Sequence, residues 1–279
     1  MKFGKYQHFS DLGDFAYMLS ARKEMLRRGL KNLCSKETFA RELAAEPLPQ
    51  VITVYSSNMI KRGPGVDPET QKNKAVNIAI AIKNLNGLII RPGETFSFWI
   101  LVGRATERKG YRVGRILRGS RLITGTGGGL CNLANTINYL VLHTPLTVTE
   151  FHTHSDALAP DSGARKPLAN GTSVSYNSVD YRFKNNTDQP FQLLLWCDGD
   201  DLCGEIRAAH AIDVSYRLTE EGHHFAKEGE KYYRISKIYR ETLDAGGQVL
   251  QKDLIVDNHS EVFFDPALIP PELLAQSDS

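Results

Sequence analysis

Residues 124–131 read Thr-Gly-Thr-Gly-Gly-Gly-Leu-Cys, and an apolar pattern of helical period starts without a gap after the glycines. Leu130, Leu133, Ala134, Ile137, Leu140 and Val141 recur at three- and four-residue steps, the spacing of one helix face. This junction fixes where a helix begins and which side of it must be covered, so it constrains the fold more than any other stretch. It places Cys131 at or just inside the helix N-terminus, where unpaired backbone N–H groups and the helix dipole favour negative charge. The thiolate is the nucleophilic form of cysteine. Gly127, Gly128 and Gly129 permit positive φ and let a ligand come close. The functional expectation is therefore an active-site or ligand-site turn. The structural alternative is a flexible turn leading to a core helix with a buried cysteine, because free cysteine packs as a small apolar residue.

Before this junction the chain reads mainly as helix. Ser10 and Asp11 can cap a helix over 10–32, with Phe15, Met18, Leu19, Met25, Leu26 and Leu30 on its apolar face and basic residues on the other. A second helix is expected over 36–45, capped by Ser35, and a strand over 48–57. Asn73–Asn86 is apolar almost all round, the pattern of a buried helix, with Gly87 as its stop. Leu88-Ile-Ile is a short strand, 95–102 an extended segment and 110–119 another. After Pro145 the period changes to two. Leu146, Val148, Glu150, His152 and His154 share one strand face, and Val174, Tyr176, Ser178 and Asp180 another. Hairpins follow around Asp198-Gly-Asp-Asp and Asp244-Ala-Gly-Gly, with a loosely packed tail from Pro270. Helices followed by antiparallel strands indicate α+β, with the cysteine-bearing helix packed on an antiparallel sheet and a layout comparable to transglutaminases or papain. Three segments result: an N-terminal helical extension and linker over 1–71, a central domain over 72–208 and a C-terminal strand extension over 209–279.

Composition narrows the function classes. With 34 Lys and Arg against 32 Asp and Glu, the net charge is +2, which gives no basis for nucleic-acid binding. Four cysteines in 279 residues are far too few for a disulfide scaffold. Cys197 and Cys203 either close a hairpin disulfide or remain reduced on neighbouring strands. No run approaches the roughly 18 apolar residues of a membrane span, and the N-terminus lacks a signal-peptide core. The expectation is a cytoplasmic protein with peripheral membrane contact through its basic N-terminal helix, and no cofactor.

The chemistry-bearing residues fall in a definite order. Cys131 starts a helix, His154 lies on the next strand and Asp180 on the one after. If they converge, imidazole takes the thiol proton and the carboxylate orients the imidazole, with N–H groups at Gly129 to Asn132 as an oxyanion hole. A rival arrangement places zinc on Cys131, His152 and His154, with Asp156 or Asp180 as the fourth ligand. Glu94, in the Pro-Gly-Glu turn, is a further substrate-binding candidate, with turn stabilisation as the alternative.

Several blocks occur together: Arg91-Pro-Gly-Glu-Thr-Phe-Ser-Phe-Trp, Val102-Gly, Gly110-Tyr, Gly127-Gly-Gly-Leu-Cys-Asn, His154-Ser and Asp180-Tyr-Arg-Phe-Lys-Asn-Asn-Thr. In this order, over about 72–208, they resemble the VanW family, whose members are associated with B-type vancomycin resistance gene clusters. The family usually has Gln after the cysteine; Asn132 keeps the amide and shortens it. The resemblance implies a role near cell-wall peptides or their precursors. Two forms of that role are expected: a cysteine amidase, peptidase or acyl transferase using Cys131, His154 and Asp180, or a non-catalytic module binding a cell-wall peptide or a partner protein. Glu94, Gly127, Gly128, Gly129, Asn132 and His152 would line the site.

Overall fold

The computed structural model describes residues 14–62, 66–118, 121–153, 156–157, 171–176 and 179–275. Its elements run α1 (Asp14–Cys34), β1 (Thr38–Phe39), β2 (Gln50–Asn58), α2 (Pro68–Ile82), β3 (Leu88–Ile90), β4 (Glu94–Ser97), α3 (Phe98–Val102), β5 (Val113–Arg118), β6 (Arg121–Thr126) and α4 (Leu130–Leu142). Strands β7 (Thr147–Glu150), β8 (Asp156–Ala157), β9 (Arg182–Lys184), β10 (Phe191–Asp198), β11 (Asp201–Ala208), β12 (Ser215–Glu228), β13 (Lys231–Leu243) and β14 (Val249–Val262) follow. They form sheets in the orders β1-β4-β9-β7, β2-β11-β10-β3, β12-β13-β14-β8 and β5-β6. Pairing is antiparallel apart from β1 with β4 and β14 with β8. The fold is α+β.

The core lies between α4 and the first two sheets. Leu133, Ala134, Ile137 and Leu140 of α4 meet Ile78 and Ala81 of α2 and the inner faces of β10 and β11, all fully buried. Phe96 of β4 and Phe183 of β9 stack at 4.6 Å within the other sheet, and both rings are buried in the same core. Strand β2, which precedes the central segment in sequence, pairs with β11 along its whole length. The β12–β13–β14 meander touches α4 at its far end, where Leu142 packs with Ile238 and Val256.

Several expectations change. No helix forms over 36–45; this stretch is an extended edge. Ala40 N–H donates to the Thr95 carbonyl, Ile89 N–H to Glu42 and Ala44 N–H to Gly87, so tertiary pairing overrides local propensity. Ser35 still accepts from the Glu37 N–H, as a cap would, without a helix to cap. Helix α2 starts five residues earlier than expected, because Asp67 accepts from Glu69 and Thr70 N–H and Pro68 fits the first position. The segment after Ser97 is helical rather than extended, with Ser97 Oγ accepting from Ile100 N–H. Val174, Tyr176 and Asp180 do not share one strand face as expected: Ser175 and Val179 form an isolated bridge ahead of β9. The tail is docked as far as residue 275, where the Ala275 N–H donates to Phe225.

Register settles the two hairpin cysteines. Cys197 stands opposite Leu202, and Cys203 opposite Trp196, so their side chains take opposite faces of the hairpin. All four cysteines are free thiols.

The apolar stripe of helix α1 is turned largely to solvent. Met25, Arg28 and Asn32 face the body of the protein, while Phe15, Leu19, Leu26, Leu30 and Leu33 point to solvent. Polar contacts hold it in place: Arg28 makes two 2.7 Å bonds to Glu150, and Asn32 accepts from Arg182 at 2.7 Å. No helix among the described residues is long and apolar enough to cross a membrane.

Candidate functional site

The glycine turn is positioned by α2 and β5. Gly127 and Gly129 have φ of +88° and +101°, values that favour glycine. Gly128 lies directly on the Gly114 backbone, and Gly129 on the stem of Lys74, so a Cβ at either would collide. The close approach that the glycines allow is therefore filled by the chain itself. Asn77, fully buried in α2, holds the arrangement: its Nδ2 donates to Gly128 and Arg112 carbonyls, and its Oδ1 accepts from Arg112 N–H at 2.7 Å.

Cys131 lies in the first turn of α4, as the sequence predicts. Its partly buried sulfur packs on the core and is 3.7 Å from the Val174 carbonyl, in position to donate the thiol proton. Burial pushes the thiol pKa up, so the helix N-terminus does not create a standing thiolate. The Asn132 N–H donates to Gly129 and is not free to serve an oxyanion, while Asn132 Oδ1 is buried without a hydrogen-bond partner.

Lys74, on the turn's other side, carries a second perturbed group. It makes no hydrogen bond or ion pair among the described residues, and burial together with nearby Lys61 lowers its pKa to about 8. Sequence reading missed both Lys74 and Asn77. An Asn inside the apolar run Ala75–Ile82 was the available signal for the second.

Asp180 is buried at a polar node. It accepts from Ser97 Oγ (2.6 Å), Trp99 N–H (3.1 Å), Tyr181 N–H (3.0 Å) and Arg182 Nε (2.7 Å). Four donors fill the roughly four lone-pair sites of a carboxylate, so none remains to orient an imidazole. Asp180 instead fixes the start of α3. Its own N–H donates to Glu150, which also takes Arg28 and lies 3.6 Å from Arg182. Burial raises the Glu150 carboxyl, but Arg28, Arg182 and the Asp180 N–H outweigh it and the net shift is downward.

Between α1 and this node opens a cleft of about 390 Å³. Met25, Trp99, Ile100 and Tyr176 give it apolar and aromatic walls, Asn32 and Asp180 polar ones, and Arg41 a guanidinium without an ion-pair partner among the described residues. Trp99 is fixed by its Nε1–H to the Val179 carbonyl and by edge contact with Tyr176 at 5.5 Å. Ser175 and Tyr176 follow directly on Val174, the residue that contacts Cys131.

Of the expected site residues, the structure brings Asp180 to the cleft and Cys131 to the segment behind it. Glu94 Oε2 accepts from Arg91 N–H and stabilises its own turn. His152 is half-exposed, 3.5 Å from Glu150. His154 lies outside the described residues, as do Asp156's side chain and Ser178. Among the described residues no His, Cys, Asp and Glu cluster has metal-binding spacing.

Comparison with known proteins follows the same residues. Residues 73–207 match the family model described as VanW like protein. The chain is 27% identical over 227 residues, 81% of its length and 82% of the relative's, to the vancomycin B-type resistance protein VanW of Enterococcus faecalis (strain ATCC 700802 / V583). It is also 27% identical over 148 residues, 53% of its length and 43% of the relative's, to the uncharacterized protein YoaR of Bacillus subtilis (strain 168). No solved structure matches it significantly. The matched segment holds the glycine turn, Cys131, the Asp180 node and most of α2, and it is a VanW-like domain.

Proposed function

We propose that this protein acts in glycopeptide resistance, the role named for its Enterococcus faecalis relative, by binding a cell-wall peptide in the cleft beneath α1. The observation that carries this reading is the pairing of the Arg41 guanidinium, which has no ion-pair partner among the described residues, with the fixed aromatic wall of Trp99 and Tyr176. A peptide's terminal carboxylate suits the first, and its apolar side chains suit the second. Cys131 then supports the wall segment through Val174 and is not the reacting atom.

The test is calorimetric titration of the full chain with a cell-wall stem peptide, with its terminal carboxylate free or amidated. Binding of the free acid is expected, weakened about tenfold or more by amidation or by Arg41→Ala, as the loss of a charge-assisted bond implies. Cys131→Ser is expected to bind as the wild type does. No binding to either peptide overturns the reading.

One observation favours a cysteine-nucleophile enzyme as a second reading. Cys131 occupies the first turn of α4, and the Gly129 cap offers no side chain to the backbone N–H groups there. Peptide turnover lost in Cys131→Ser, with iodoacetamide alkylation faster at neutral pH than for a free thiol, would establish it.

A further inference from the structure

The outer face of α1 has the chemistry of a surface made to be covered. Phe15, Leu19, Leu26, Leu30 and Leu33 are 74%, 50%, 70%, 62% and 82% exposed. At 3.6 residues per turn these five fall within an arc of about 60°, a single narrow stripe along the helix. Arg22 borders one side of the stripe and Lys23 the other, with Arg27 and Lys31 beyond Lys23. Arg22, Lys23 and Lys31 make no ion pair among the described residues, and Arg27 has only a 3.6 Å contact with Glu24 on its own helix. The opposite side of α1 is engaged by Glu150 and Arg182, so rolling the helix inward would break those bonds.

We propose that α1 is an in-plane docking helix for an anionic bilayer. Its apolar stripe enters the boundary between headgroups and acyl chains, and Arg22, Lys23, Arg27 and Lys31 meet the lipid phosphates. Charge complementarity favours lipid over a second copy of this chain, because a two-fold pairing of the stripe would set Arg22 and Lys23 against the same cations. Docking would also bring the cleft, whose wall is the inner side of α1, to the bilayer surface. The proposal stands on the outer face alone and holds whether or not the cleft binds peptide.

The test is co-sedimentation of the full chain with phosphatidylcholine vesicles, with and without phosphatidylglycerol. Wild type is expected to pellet with the phosphatidylglycerol vesicles and to be released by salt. The double variant Leu26→Glu/Leu30→Glu should lose about a hundredfold in partitioning, from two apolar side chains removed and two repelled charges added. An unchanged thermal midpoint for that variant, whose altered side chains face water, shows that it folds. Lys23→Glu/Lys31→Glu should abolish the preference for phosphatidylglycerol while leaving the fold intact. Wild type that stays in the supernatant, or a folded Leu26→Glu/Leu30→Glu variant that still pellets, overturns the proposal. So does a dimer in analytical ultracentrifugation that is broken by the same variant.

Discussion

Helices α1 and α4 carry the same kind of sequence pattern and meet opposite fates. In α4 the apolar stripe from Leu130 to Val141 is buried almost completely under α2, β2 and β11. In α1 an equally regular stripe faces water, and the helix is held by guanidinium, carboxylate and amide groups on its other side. Hydrophobic period therefore defines a face, while the partner of that face is decided elsewhere in the chain. For α4 the partner is the folded body. For α1 the body offers Glu150 and Arg182, and the leucines are left over.

The comparison is broken most directly by trimming one leucine from each helix. Leu133→Ala removes a fully buried side chain and is expected to cost about 2–5 kcal/mol. Leu30→Ala, 62% exposed, should change stability by less than about 0.5 kcal/mol. Urea unfolding of both variants decides the matter. Equal losses would mean that α1 packs its leucines inward in solution.

The start of α4 was legible because everything that specifies it is local: three glycines, then a helical period. The environment of its cysteine was not, because the residues that set it are distant. The Val174 carbonyl that meets Cys131 lies forty-three positions on. Reading Cys131 as a stabilised thiolate considered only its own helix, whereas packing by the rest of the core raises the thiol pKa. Asp180 shows the same limit: its donors come from Ser97 and Trp99, more than eighty residues earlier, as well as from its neighbours. The segment 36–45 has helical propensity, yet its backbone groups find partners at Gly87, Ile89 and Thr95. The hairpins around Asp198-Gly-Asp-Asp and Asp244-Ala-Gly-Gly were readable, since strand, turn and partner are adjacent in sequence, whereas the β12–β13 hairpin was not anticipated.

A smaller effect sharpens the contrast inside the family segment itself. The glycine turn packs on Lys74, whose ammonium has no counter-ion among the described residues and whose pKa falls from 10.5 to about 8. Between those two values the unfolded chain holds a proton that the folded chain has released, so stability rises with pH across this window. Below about pH 8 both states are protonated and the folded state carries the full cost of the buried charge. Lys74→Met should therefore stabilise the protein at neutral pH by about 2 kcal/mol, less than the roughly 3 kcal/mol of the whole shift because the ammonium keeps some water. The advantage should shrink as pH rises towards 10.5. Paired thermal melts of wild type and variant across that range test this, and a constant difference would show that the buried charge of Lys74 is not what costs stability.

The seam beneath α1 carries a smaller expected effect than Lys74 and a more specific one. Arg28 and Glu150 share two 2.7 Å bonds, with side chains 20% and 16% exposed, so the pair is neither fully solvated nor fully buried. Glu150→Gln keeps an acceptor for the Asp180 N–H but removes the charge facing Arg28 and Arg182. The expected cost is about 1–2 kcal/mol, below that of breaking a fully buried pair. The Glu150 carboxyl has a lowered pKa in the folded state. Its contribution is therefore complete above the unfolded value of 4.5 and is lost as pH falls through the folded one. Because Glu150 ties α1 to the body, the loss should appear first as faster amide exchange in α1, with α4 unchanged. Glu150→Gln should reproduce at neutral pH the exchange that acid produces in the wild type. Exchange that quickens equally in both helices would show that α1 and α4 open as one unit, and that the seam is not what holds α1 in place.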